Sequence, residues 1–342
     1  MFDLALVIFL FLSPIILLPV IGNITALQFY QSGVIDSTNS MLQLQFFQFG
    51  IIVLYIVSLF QKKIRVLQDK WLFFFLIGCL VSVFLHPISV KVIHNIFLGF
   101  LLYKLVFEYS RNIKLILLPI VIVSVLNFIF QSLQFFNINF IYSYAGLMKN
   151  PSHLGTYQAL AIPICYMFNP WLAIIPIMGL LLTKTWTAIF AVILVICLKF
   201  RKQIIGLGSM WIMFFMSCIV LFVSIFYKLM FYDLRPRLWV WFETLKSLTL
   251  AGHGFSFSKN LEHIFGHFDN PYNQYLGILF SVGIFSIPIF IWLYNSMKNR
   301  GLVFPSCLIL AIIALGQSFM DFPRLSGTVI VLFGLLNIKT EV

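Results

Sequence analysis

Charge is what this chain has least of: aspartate, glutamate, lysine and arginine make up 9% of its 342 residues, against about a quarter in an ordinary globular protein. A soluble protein of this length could bury a large core, but it would still need polar side chains to cover its outside, and this sequence has too few. Metal-ligand spacing is also missing. The five cysteines, Cys79, Cys165, Cys197, Cys218 and Cys307, all fall inside apolar runs, which leaves them as small buried hydrophobes. Heptads, low-complexity tracts, a soluble domain and similarity between the two halves are absent too. The first apolar run, Phe2 to Ile21, lacks a basic leader and a small-residue cleavage site, so it is expected to be a retained helix and not a removed signal. The net charge of +12 is scattered in short clusters between apolar runs, which argues against nucleic acid as a partner.

What is there is hydrocarbon: 61% hydrophobic residues and a mean hydropathy of +1.03. The expected fold is all-α, a polytopic membrane protein whose solvent is lipid, with residues 1–342 as one integral membrane domain. A crossing helix needs about 20 apolar residues. The runs fall near 2–21, 46–60, 71–86, 92–108, 114–134, 154–168, 170–183, 186–199, 207–227, 271–296, 302–317 and 325–338. Twelve spans is the expectation and ten the alternative, because Asn169-Pro170 and Lys184 interrupt the tract at 154–183, where half-length helices or a tilted pair both fit.

The basic clusters test that count, since cytoplasmic loops collect lysine and arginine. Lys62, Lys63, Arg65 and Lys70 share one loop, Arg111 and Lys114 another, Lys199, Arg201 and Lys202 a third, Lys298 and Arg300 a fourth, and Lys339 sits in the tail. With twelve spans all five fall on one side. Both termini are then cytoplasmic, and 135–153, 228–271 and the Met320-Asp321-Phe322-Pro323-Arg324 turn lie outside.

The segment 228–271, between the ninth and tenth spans, is the one long polar stretch, and it is longer than a turn requires. It is either a lid or a site. From Arg235-Pro236-Arg237 onward, Leu238, Trp241, Phe242, Leu245 and Leu248 share one face of an expected helix, with Pro236 in its first turn. Arg235, Trp239, Glu243 and Lys246 line a polar face. Two guanidiniums at a helix N-terminus suit a phosphate or diphosphate, to which each can fork two hydrogen bonds. Anionic lipid headgroups, or pairing with Asp233 and Glu243, are the alternative use of Arg235 and Arg237.

Gly252-His253-Gly254 reads most simply as a helix C-cap. Asn270 and Pro271 then suit the cap and first position of the next span, followed by Tyr272, Asn273, Gln274 and Tyr275. The tyrosines also fit an interfacial aromatic belt. Asn273 and Gln274, amides in the first turn of a membrane helix facing the insert, are candidate substrate contacts. The same device recurs at Asn150-Pro151-Ser152-His153, where Asn150 and His153 are further candidates. His263 and His267 stand four apart without an HExxH context, so no metal and no cofactor is expected.

In this order the pieces resemble the O-antigen ligase and O-antigen polymerase superfamily of bacterial membrane glycosyltransferases. Gly146-Leu-Met-Lys-Asn150-Pro151-Ser-His153-Leu-Gly155 looks like that family's G-x-x-x-N-P-N-x-L-G/A segment. Arg235-x-x-x-Trp239, Gly252-x-Gly254 and Tyr272-Asn273-Gln274-Tyr275-Leu276 with Gly283 resemble its R-x-x-x-W, G-x-G and H-N-x-Y-L…G series. The likeness covers roughly 140 to 290, with the twelve-span layout and the Asp321-Phe322-Pro323 turn, whose Arg324 is a further candidate cation.

The resemblance implies a bacterial cytoplasmic-membrane enzyme with its site on the periplasmic face. It would move an oligosaccharide from an undecaprenyl-diphosphate carrier to a glycan acceptor, with a chain-length regulator and other polysaccharide-assembly proteins as possible partners. Arg235, with Arg237, would hold the diphosphate; Trp239, Gly252 and Gly254 would line the substrate site. The family histidine that activates the acceptor is replaced by Tyr272, and the serine-arginine pair before the eighth span reads Thr185-Trp186. Tyrosine, with an ordinary pKa near 10, is a poor base at neutral pH. The expected base is therefore His267, with His153 as alternative and Tyr272 orienting the acceptor. Polymerase is favoured over ligase.

A flippase or transporter is the rival class. It would place ionisable residues in mid-span, whereas Lys104 and Glu108 sit near a cytoplasmic end and can snorkel. An inactive relative that modifies chain length is the third possibility, kept open by Tyr272.

Overall fold

The structure is a computed structural model that describes residues 1–15, 35–67, 69–86, 90–137, 148, 151–206, 237–255, 273–317 and 323–338. Among them every regular element is a helix. Before the insert these are α1 (Phe2–Ile15), α2 (Ile35–Leu59), α3 (Lys70–Leu85), α4 (Val90–Tyr109), α5 (Ile113–Asn137), α6 (Pro151–Phe168), α7 (Ile174–Thr183) and α8 (Trp186–Gly206). Then come α9 (237–246), α10 (Gln274–Val282), α11 (Ile287–Lys298), α12 (Phe304–Ile313) and α13 (Pro323–Leu336). The all-α expectation is met, and the helices lie on the apolar runs. Among the described residues, Ile113–Leu133 and Gln274–Lys298 are the two helices long and apolar enough to cross a membrane by length and composition.

Local chemistry explains the ends. The Asp69 carboxylate accepts from the N–H groups of Trp71 and Leu72 and so starts α3. Asn169 does the same for Trp171, opening the turn Pro170–Ala173 that leads into α7, while Lys184 in the left-handed region (φ 54°) ends α7. The interrupted tract 154–183 is thus two separate helices packed on each other. α2 begins earlier than its apolar run, at Ile35, taking in the polar segment 36–45 before it.

α6 lies at the centre, against α5, α7, α8 and α12. Ser124, Gln131 and Gln158 are fully buried there. Ser124 donates to the Gln158 side-chain oxygen at 2.5 Å, Gln158 returns a bond to the Ser124 carbonyl at 3.2 Å, and Gln131 donates to the Gly179 carbonyl at 3.0 Å. These neutral amides tie three helices together where no water competes. Outward faces are apolar: Phe73, Phe74, Ile77, Leu80 and Phe84 form an exposed stripe along α3, opposite the buried Leu72, Leu76 and Cys79.

Candidate functional site

One end of the bundle gathers five chain segments. The Thr185 hydroxyl donates to the Pro151 carbonyl at 3.1 Å, joining the α7–α8 turn to the start of α6. Gly155 is what lets them meet, since a Cβ there would lie 2.5 Å from Thr185 Cβ. One turn on, the Thr156 hydroxyl reaches the Ser152 carbonyl at 3.0 Å and the Gln317 side-chain oxygen at 3.3 Å, bringing in the end of α12. Arg237 Nη1 donates to the Gly316 carbonyl at 3.0 Å, which seats α9. The Gln274 N–H donates to the Ala314 carbonyl at 2.8 Å, which seats the start of α10. Because Gln131 holds Gly179, this end lies away from Arg111, where α5 begins.

The sequence candidates divide accordingly. His153 is buried in the first turn of α6, and Arg237, Asn273 and Gln274 stand in the same cluster. Arg237 also completes a helix terminus, because the carbonyls ending α12 carry partial negative charge. Asn273 holds the backbone in place, since its side-chain oxygen accepts from the N–H groups of Tyr275 at 3.0 Å and Leu276 at 3.1 Å. The cap of this helix is therefore Asn273 and not Asn270. With Gln274 N–H on Ala314 and Gly277 N–H on the Asn273 carbonyl, the first turn of α10 has no spare donor for an anion. Trp239 is exposed on α9.

Gly252 and Gly254 lie elsewhere, at the far end of α10, about 12 Å along its axis. Their φ values of 75° and 77° are matched by Gly283 at 62°, where the helix breaks into the turn Gly283–Ser286. His253 N–H donates to the Phe280 carbonyl at 2.9 Å, Gly254 N–H to the Ser281 carbonyl at 3.0 Å, and Ile284 N–H to the Leu250 carbonyl at 3.0 Å. The His253 ring stacks on Phe280 with centroids 4.4 Å apart, and the His86 ring N–H donates to the Gly252 carbonyl at 3.2 Å. A Cβ on Gly252 would come 2.5 Å from the Ser281 carbonyl oxygen. The G-x-G pattern here makes a backbone joint.

Arg235, Tyr272, His267 and Asn150 lie outside the described residues, as does most of 228–271, and of Arg324 only the backbone, in the first turn of α13, is described. Sequence reasoning missed Gln317. Its carboxamide nitrogen is buried with no hydrogen-bond partner, although Thr156 holds its oxygen. A buried donor left unmatched costs about 1–3 kcal/mol; among the described residues Ser110, Tyr157, Trp241, Trp292 and Thr328 each also bury a polar side-chain atom without a partner.

Described carboxylate side chains lie away from this cluster. Asp3, Asp69 and Glu108 belong to the other end, and Glu243 on α9 pairs with Lys246 at 3.2 Å. The described cluster thus offers a guanidinium, an imidazole and carboxamides, a set suited to oxygen-rich, anionic ligands. Among the described residues no group of three or more His, Cys, Asp or Glu side chains could hold a metal ion. No family model and no curated protein matches the chain.

Proposed function

We infer that this chain is a membrane glycosyltransferase that extends O-antigen or a related surface polysaccharide from an undecaprenyl-diphosphate-linked donor. The observation that carries the inference is the meeting of the 151–156, 184–187, 237, 273–274 and 314–317 segments at one end of the bundle. Three of these are the segments whose motifs resemble the ligase and polymerase superfamily. The exposed α3 stripe, and a matching one of Phe49, Ile52, Tyr55, Ile56 and Leu59 on α2, support a lipid setting.

In the proposed reaction an acceptor hydroxyl oxygen bonds to the anomeric carbon of the donor. The anomeric carbon–oxygen bond to the carrier breaks, and the diphosphate leaves with the electron pair. Arg235 and Arg237 neutralise that leaving group. The hydroxyl proton passes to an imidazole, His267 or else His153, while Tyr272 orients the acceptor. The layout that goes with this has twelve spans, cytoplasmic termini and 228–271 on the periplasmic side. A thiol probe at position 258 should then be labelled from outside and one at 203 should not; the reverse pattern would overturn the layout.

The test is transfer by purified, reconstituted protein given a lipid-linked repeat unit. Wild type should lengthen the carrier-linked glycan and release undecaprenyl diphosphate, and Arg235→Ala should lose about two orders of magnitude in rate. Wild type that lengthens nothing under these conditions, or Arg235→Ala at full rate, contradicts the assignment; product only on lipid A core would make the enzyme a ligase.

A further inference from the structure

At the opposite end of the bundle, a groove of about 410 Å³ opens between α3 and α4, lined by Leu67, Asp69, Lys70, Phe73, Phe100 and Lys104. Around it the loop 60–67 is latched to the end of α4, and the latch engages Lys63 and Arg65. Lys63 pairs with the buried Glu108 at 3.1 Å, and Arg65 Nη1 donates to the Ser110 carbonyl at 3.0 Å. The other Glu108 oxygen accepts from Leu67 N–H at 3.3 Å. Asp69, the one acid in the groove, is turned onto the first N–H groups of α3.

Two ammonium groups line the groove itself. Lys70 lies 5.4 Å from the centre of the Trp71 ring. Lys104 sits more than a turn inside α4 and, among the described residues, has neither an ion pair nor a hydrogen bond. A half-buried cation in an aromatic-walled groove is held there at a desolvation cost unless an anion meets it. Below it, Phe73 begins the exposed stripe that runs through Ile77 and Leu80 to Phe84, a track for an acyl chain.

The geometry points to a binding site for one anionic phospholipid, its phosphodiester between Lys70 and Lys104 and one chain along the α3 stripe. Basic pockets between helices at the cytoplasmic side suit such headgroups, whereas a zwitterionic lipid would add a cation where two already stand. Asp69 offsets part of the field, so the site selects by geometry as well as by charge. The proposal rests on the chain being embedded in a bilayer, and it is independent of glycosyl transfer.

The experiment places the full chain in nanodiscs of phosphatidylcholine doped with phosphatidylglycerol and measures by native mass spectrometry which lipid is retained on release. Wild type should retain phosphatidylglycerol over phosphatidylcholine by about tenfold, from two headgroup contacts. Lys70→Gln with Lys104→Gln should lose that preference, and Lys62→Gln should keep it. Lys104→Arg, which preserves charge and fold, should retain most of it. Equal retention of the two lipids by wild type, or an undiminished preference in the double variant, overturns the site. Wild type that an alkaline wash strips from membranes overturns the bilayer setting itself.

Discussion

The two ends of the bundle use polar side chains in opposite ways. At the basic end, acids serve the backbone: Asp3 accepts from the N–H groups of Arg111 and Asn112, Asp69 caps α3, and Glu108 fastens the loop 60–67. At the other end the one described carboxylate, Glu243 on α9, pairs with Lys246 on its own helix. Arg237 and Thr156 secure α12, yet Gln317 keeps a buried nitrogen without a partner. Polar groups that close their own hydrogen bonds hold a fold together. Ser110 Oγ at the basic end is likewise without a partner, so what sets the other end apart is the meeting of five segments around Arg237, Thr156 and Gln317.

The comparison breaks most readily at Gly155. Gly155→Val would drive the first turn of α6 from Thr185, an overpacking cost of about 1–3 kcal/mol, and would separate Thr156 from Gln317. The expected outcome is a lower unfolding temperature in detergent together with loss of glycan transfer. Retention of both would mean that the α6–α8 contact is dispensable.

The smallest effect belongs to the basic end. Hydrogen bonding and attraction to Glu108 raise the Lys63 pKa above its ordinary 10.5. A raised lysine pKa gives stabilisation that is complete below the ordinary value and is lost as pH climbs through the raised one. Wild-type unfolding temperature should therefore fall with pH above about 10.5 slightly more steeply than that of Glu108→Gln. Parallel curves would show that the pair adds nothing to stability.

Much of the helical layout was legible because long apolar runs leave few alternatives once lipid is the solvent. The helix at 237–246 was likewise written in the spacing of Leu238, Trp241, Phe242 and Leu245. The site was legible only in part. Asn270 and Asn273 are equally good caps as residue types, and the choice follows from Gln274 finding the Ala314 carbonyl in a distant helix. The joint that Gly252 and Gly254 form with Gly283 was not legible, because a helix separates the partners along the chain. Gln317 is an amide at the end of an apolar run, indistinguishable from a solvated one until Thr156 is seen against it.

The most direct measurement takes Gln317→Leu and Glu108→Gln side by side, recording unfolding temperature and polymer formation from a lipid-linked repeat unit on the same samples. An unmatched buried donor costs about 1–3 kcal/mol, and one ordinary hydrogen bond contributes about 0.5–1.5 kcal/mol net. Gln317→Leu loses the bond its oxygen accepts from Thr156, which keeps the Ser152 carbonyl, and also removes the unmatched nitrogen, so the unfolding temperature should change little while polymer formation falls about tenfold, the worth of one hydrogen bond to a bound ligand. Glu108→Gln should do the reverse, with lower stability and polymer retained. A destabilised Gln317→Leu that polymerises at the wild-type rate would contradict the assignment of this end as the functional site.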